Sequence, residues 1–242
     1  MPKPSNEVLK QLAPSGTLRA AINFGNPVLA AKDVATSEPS GVSIDIARAL
    51  ANRLGVPLRV VPFESAGSVV AAARNDEWDV AFVARDPARA KEMLQTAPYV
   101  SIEGAYLVRN DSPLKSNEEV DAEGIRIAVG AGSAYDLYLS RTLQHATIVR
   151  AKTSPGVTPL FLADHLEAAA GVKQQLLRDA STTPGLRILP GSFMRIDQAM
   201  ATPLANNAGA AFLDQFIAEI KASGLIQQSL AKHKIEGVAI PP

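Results

Sequence analysis

Asp86-Pro87-Ala88-Arg89 is the segment whose residue types are best suited to chemistry. An Asp followed by Pro suits a helix start, with the carboxylate capping and the proline at the first helical position, where its missing N–H costs nothing. Free backbone N–H groups at such a start favour an anion. The forked guanidinium of Arg89 can then grip a carboxylate through two parallel hydrogen bonds. The competing structural reading is a plain capped helix running on through Lys91 and Met93, with Arg89 in a surface salt bridge. Arg85 and Lys91 are the neighbouring cations that could serve in its place. A second segment of this kind is Gly130-Ala131-Gly132-Ser133-Ala134-Tyr135. Its glycines permit a tight strand-to-helix turn, and Ser133 can cap the helix while leaving N–H groups for an anion. Ser133 and Asp136 also make a capping box, a structural account that does not exclude binding. The run lacks the third glycine of a dinucleotide fingerprint, and its Gly-Ser spacing is wrong for a nucleophile elbow.

Catalytic alternatives find little support. The three histidines, His145, His165 and His233, are scattered and form no metal-ligand spacing. A Ser-His-Asp triad could be drawn from any chain with three histidines, and only geometry would support it. There is no cysteine, which removes disulfides, thiolate nucleophiles and Cys-based zinc sites and leaves the redox compartment open. No catalytic residue, metal or cofactor is therefore expected. The 24 Lys and Arg balance the 24 Asp and Glu, so no global field favours nucleic acid or an anionic membrane.

The elements that must position these residues alternate between strand and helix. A short helix over 7–12 stops at Pro14 and the Ser15-Gly16 turn, and a strand over 17–23 then points at the loop Asn23-Phe24-Gly25-Asn26-Pro27. A polar loop over 36–40 precedes an amphipathic helix carrying Ile44, Ile46, Ala47, Leu50 and Leu54 and ending at Gly55. A strand over 58–63, a helix over 65–75, a strand over 79–84 and the helix from Asp86 follow. Trp78 reads as a structural plug. A strand over 104–108, a strand over 125–129, a helix over 134–144, a strand over 147–151, a helix over 157–162, a strand over 167–171 and a helix over 174–180 come next. A strand over 193–201 and helices over 206–223 and 225–232 close the chain, with a loosely ordered tail over 237–242. The 242 residues can bury a large core as one domain or two. No apolar run approaches the roughly 20 residues of a spanning helix, so no membrane insertion is expected.

The run Gly41 to Ala47, the strand region from Asp76 to Val83 and the turn at Asp86 to Arg89 resemble the first lobe of the type II periplasmic binding proteins. The branch is the extracellular solute-binding proteins, family 3, which serve polar amino-acid ABC transporters. In that family an aromatic residue stands at Val42 and a Thr-x-x-Arg turn at Asp86 to Arg89, and the preceding loop is about two residues longer. The resemblance implies two α/β lobes, 1–105 with 202–242 and 106–201, joined by two crossover strands and closing on a small solute. It implies that Asn23, Phe24 and Asn26 form one wall, with lobe core as the other reading for Phe24. Ala84, Arg85, Asp86 and Arg89 would meet the solute from the first lobe, and Ser133, Ala134 and Tyr135 from the second. An acidic residue that accepts the solute's ammonium in that family falls here on Val172, with Lys173 beside it. Ordinary α-amino acids are therefore expected to bind poorly, and an organic acid to bind better. The implied partners are that solute and an ABC transporter permease, with the chain a monomer. The resemblance implies a periplasmic location, yet the opening MPKPSNEVLKQLAPSG has no long apolar stretch that reads as a secretory signal. A mature exported form and a cytosolic one both fit, as does a solute sensor. A cyclohexadienyl-dehydratase-like enzyme on the same fold is the catalytic alternative.

Overall fold

The computed structural model describes residues 3–33 and 36–242. Met1 and Pro2, part of the opening segment read for a leader, lie outside it. The chain divides into two compact units, Met1–Ser101 with Asp197–Pro242, and Ile102–Ile196. In chain order the first unit holds α1 (Asn6–Leu12), β1 (Leu18–Asn23), a small hairpin of β2 (Ala31–Lys32) and β3 (Pro39–Ser40), α2 (Val42–Leu54), β4 (Leu58–Phe63), α3 (Ala66–Ala71), β5 (Val80–Ala84) and β6 (Met93–Gln95). Strand β7 (Val100–Arg109) carries the chain into the second unit. There follow β8 (Arg126–Gly130), α4 (Ala134–Thr142), β9 (Thr147–Ala151), α5 (Val157–Ala163), β10 (Ala168–Val172), α6 (Lys173–Thr182) and β11 (Leu186–Ile188). Strand β12 (Met194–Pro203) returns to the first unit, which ends with α7 (Asn207–Ala222) and α8 (Leu225–Lys232).

The two units repeat one plan. In the first, β1 lies between β4 and β5, parallel to both, and β12 runs antiparallel on the far side of β5. In the second, β8 lies between β9 and β10, parallel to both, and β7 runs antiparallel on the far side of β10. Parallel strands need crossover helices that cover the sheet, and so read as continuous apolar runs; β5 and β10 are buried at every position. Ala21, Val69, Trp78, Ala81 and Met93 pack one core. The Trp78 indole donates to the Val69 carbonyl at 3.1 Å, so it is the plug its position in the sequence implied. Leu107, Ala128, Phe161, Leu166 and Leu176 pack the other core.

The repeat extends to an ionic clip. Arg19 at the head of β1 donates to the buried Asp79 carboxylate from its backbone N–H and its guanidinium, at 2.7 to 3.2 Å. Arg126 at the head of β8 does the same to Glu167, at 2.8 to 2.9 Å. In each unit the clip ties the first strand to the residue that precedes the third.

Two expectations fail. No α-helix starts at Asp86; a single 3-10 turn, Arg89–Lys91, is followed at once by β6, whose backbone pairs with β12. The pairing partner lies more than a hundred residues away, so local helix signals lose to a distant ladder. The tail is not loose either, because Ala239 pairs with Ser101 in an antiparallel bridge with both backbone hydrogen bonds made.

Candidate functional site

In α/β sheets the carboxyl ends of parallel strands are where loops gather polar groups around a ligand. The first unit presents Asn23, Phe63 and Ala84 at those ends. Asn23 Oδ1 accepts the Gly25 N–H at 2.9 Å, and the Phe24 N–H donates to the Phe63 carbonyl at 2.8 Å, so the loop is held close to β4. Gly25 allows that approach, since a Cβ there would lie 2.4 Å from the Glu64 carbonyl oxygen. Phe24 is half-buried, with Lys32 Nζ 5.7 Å from its ring centroid, and is not part of the core cluster around Trp78. Asn26 Oδ1 is buried with no hydrogen-bond partner among the described residues.

Arg89 is 2 % exposed, far more enclosed than a surface salt bridge would leave it. Its Nη1 donates to the Ala84 carbonyl at 2.9 Å, an oxygen that also accepts from Gln95 Nε2 at 3.1 Å. Burial pulls the guanidinium pKa down to about 10, against the support of the Asp86 charge. Asp86 is also buried, and its Oδ1 accepts the Ala88 N–H at 2.8 Å, so the carboxylate closes a tight turn where the sequence promised a helix cap. Arg85 and Lys91 are exposed, and the Arg85 N–H donates to the Asp197 carbonyl at 2.7 Å. Asp197 in turn accepts the Ser101 hydroxyl, a pair on two different strands that sequence reasoning did not single out.

The second unit presents Gly130, Ala151 and Val172 at its parallel strand ends. Ser133 is the N-cap of α4, its hydroxyl accepting the Asp136 N–H at 3.0 Å, while Asp136 reaches back to the Gly132 N–H at 2.8 Å. The capping account is therefore realised. Gly132 needs its glycine, with φ at +67°, and Gly130 leaves no room for a Cβ, which would sit 2.8 Å from the Tyr135 hydroxyl. That hydroxyl donates to Ser154 Oγ at 2.7 Å, and burial raises its pKa, so Tyr135 offers a neutral phenol. Ala134 is buried beside it. Lys173 opens α6, with its Nζ 2.5 Å from Glu103 Oε2. Glu103 was missed in the sequence: it comes from β7, one residue before the Gly104 that pairs with Val172.

Among the described residues, no Ser-His-Asp triad forms around the three histidines. His145 and His165 precede β9 and β10, at the strand ends remote from the candidates, and both are exposed. His233 Nε2 lies 2.8 Å from Asp45 Oδ2, but Ser229 Oγ is bonded to that same Asp45 and not to the imidazole. Among the described residues, no group of three or more His, Cys, Asp or Glu could hold a metal, and no helix is long and apolar enough to cross a membrane.

Residues 18–235 match the family described as bacterial extracellular solute-binding proteins, family 3. The chain belongs to this family. Among solved structures, this family 3 protein is similar to a mutant of ArgBP from T. maritima, with TM-score 0.80, 20% identity, 95% of this chain and 100% of that chain covered. It is similar also to an amino acid ABC transporter substrate-binding protein, AbpA from Streptococcus pneumoniae, bound to L-arginine, with TM-score 0.79, 20% identity and coverage of 93% and 98%. A third is the ancestral amino acid-binding protein AncCDT-1, a precursor of cyclohexadienyl dehydratase, with TM-score 0.77, 19% identity and coverage of 93% and 98%. No curated protein sequence matches. At these identities the likeness carries the two-lobed fold of periplasmic binding proteins and leaves the solute to the chain's own residues.

Proposed function

We propose that this solute-binding protein captures a small carboxylate-bearing solute, an amino acid or a related organic acid, and delivers it to an ABC transporter permease, outside the cytoplasmic membrane. The observation that carries the reading is Arg89. Its guanidinium is enclosed at a strand end and its pKa is depressed to about 10 by burial. Asp86 supports that charge, and a forked guanidinium has the shape to grip a carboxylate through two parallel hydrogen bonds. The loop Asn23 to Asn26 would cover the solute from the first unit, with Ala84, Arg85 and Asp86 beside the grip. Ser133, Ala134 and Tyr135 are the second unit's candidates for solute contact, with Lys173 at the same strand end. Its solute and the permease are the only partners in this reading, in which the protein acts as a monomer without a cofactor.

A thermal-shift screen of the amino acids beside their oxo- and hydroxy-acid counterparts tests it, with mass spectrometry of any co-purified molecule. Stabilisation by at least one carboxylate solute is expected, and its absence from the whole panel would sink the reading. The enzyme alternative rests on the likeness to a dehydratase precursor and needs an acid poised to protonate a leaving group. Incubation with prephenate separates the two, since a binder leaves it intact.

A further inference from the structure

The second unit carries a side-chain pair that changes which solutes its edge can accept. The antiparallel register sets Ala169 against Leu107, Ala170 against Tyr106, Gly171 against Ala105 and Val172 against Gly104. One residue beyond the end of that ladder Lys173 opens α6, and its Nζ meets Glu103 Oε2 at 2.5 Å. Both side chains remain partly open to solvent, 31% for Lys173 and 43% for Glu103. The other carboxylate at this edge, Asp136, is buried and spent on the Gly132 N–H and on the Arg150 guanidinium. Val172 brings none, so Glu103 is the exposed acceptor that this edge offers to a cation, and Lys173 currently holds it.

We infer that Glu103 is the residue that reads the solute's ammonium, and that an amino acid binds by displacing Lys173 from it. This deepens the carboxylate-solute reading above and rests on it. An ammonium and a lysine beside one carboxylate repel each other, so the two compete for Glu103. Lys173 can yield at small cost, because its long stem starts at the first residue of α6 and its side chain is already partly open to solvent. A solute without an ammonium leaves the pair closed and gains nothing from Glu103. The selectivity is thus for zwitterionic amino acids over their deaminated acids, the reverse of what Val172 and Lys173 imply when read without Glu103.

The competition gives the two residues opposite signs. Using the full chain, isothermal titration would compare wild type, Glu103→Gln and Lys173→Met. The probes are the proteinogenic L-amino acid with the largest thermal shift and its α-hydroxy acid. Glu103→Gln should weaken the amino acid at least fivefold and leave the hydroxy acid unchanged within twofold. Lys173→Met should tighten the amino acid, because the competitor is gone. A loss under fivefold in Glu103→Gln, or an unchanged or lower amino-acid affinity in Lys173→Met, overturns the inference. Should Glu103→Gln melt early, Glu103→Asp replaces it and must bind more weakly than wild type. Wild type that binds only non-amino acids refutes the role of Glu103 and leaves the carboxylate reading standing. Failure of every carboxylate solute refutes both.

Discussion

At the scale of single residues, Arg89 concentrates the conflict between stability and binding. Its charge is buried beside Asp86, and the oxygen it bonds, that of Ala84, has a second donor in Gln95. Removing one member of a buried charge pair leaves the other uncompensated, at a cost of about 3 to 5 kcal/mol. Arg89→Met, which strands the buried Asp86, should therefore lower the melting temperature of the free protein by roughly 6 to 20 °C. Hydrogen bonds to charged groups contribute roughly 1.5 to 3 kcal/mol each, so binding suffers as well. Affinity for the carboxylate solute should fall at least tenfold, as read by titration. Normal affinity with an intact fold would move the anion grip to Arg85 or Lys91. The sequence singled out Arg89 through its spacing from Asp86 and Pro87, yet it mistook the local geometry. Asp-Pro is a good helix start only if the next residues are free to coil, and Met93 to Gln95 are claimed by β12. Glu103 had no sequence signal, because its partner lies 70 positions away.

At the scale of elements, most of the fold was legible because periodicity and turn chemistry agree. Helix α2 shows this: its apolar residues recur on one face, and Gly55 stops it in the left-handed conformation with φ at 72°. The short strands β2, β3, β6 and β11, two or three residues each, were not legible, since segments of that length carry no period. How α8 is fastened was equally hidden. Asp45 on α2 accepts hydrogen bonds from Ser229 at 2.8 Å and Lys232 at 3.0 Å, with His233 Nε2 also at 2.8 Å, all three from the C-terminal end of the chain. Burial works against the Asp45 carboxylate, but these partners outweigh it and hold its pKa below the ordinary 3.8. A carboxylate whose folded pKa is depressed contributes stability above its unfolded value, and that contribution is lost as pH falls through the folded one. Asp45→Asn should therefore cost about 1 to 3 kcal/mol at pH 7 in urea unfolding. The gap to wild type should close as pH drops below 3.8. A gap that stays constant down to pH 3 would mean that Asp45 acts by shape and not by charge.

At the scale of the whole molecule, the repeated plan bears on how binding energy spreads. Each unit has its own core and its own clip, Arg19 to Asp79 in one and Arg126 to Glu167 in the other. The chain passes between them only within β7 and β12. Units with their own cores can open as separate cooperative blocks, and hydrogen exchange tests whether these two do. Arg126→Ala, which releases Glu167 and the His165 carbonyl, should speed exchange in β8, β9 and β10 and leave β1, β4 and β5 as they were. With that independence established, the solute becomes the probe. A ligand stabilises only what must be folded to hold it, by about 2.7 kcal/mol at a hundredfold excess over Kd. If the carboxylate goes to Arg89 and the ammonium to Glu103, the slowest amides of both units should slow together, each by about a hundredfold. Protection confined to β1, β4 and β5 would mean that Arg89 and its loop hold the solute alone, and the role drawn for Glu103 would fall with it.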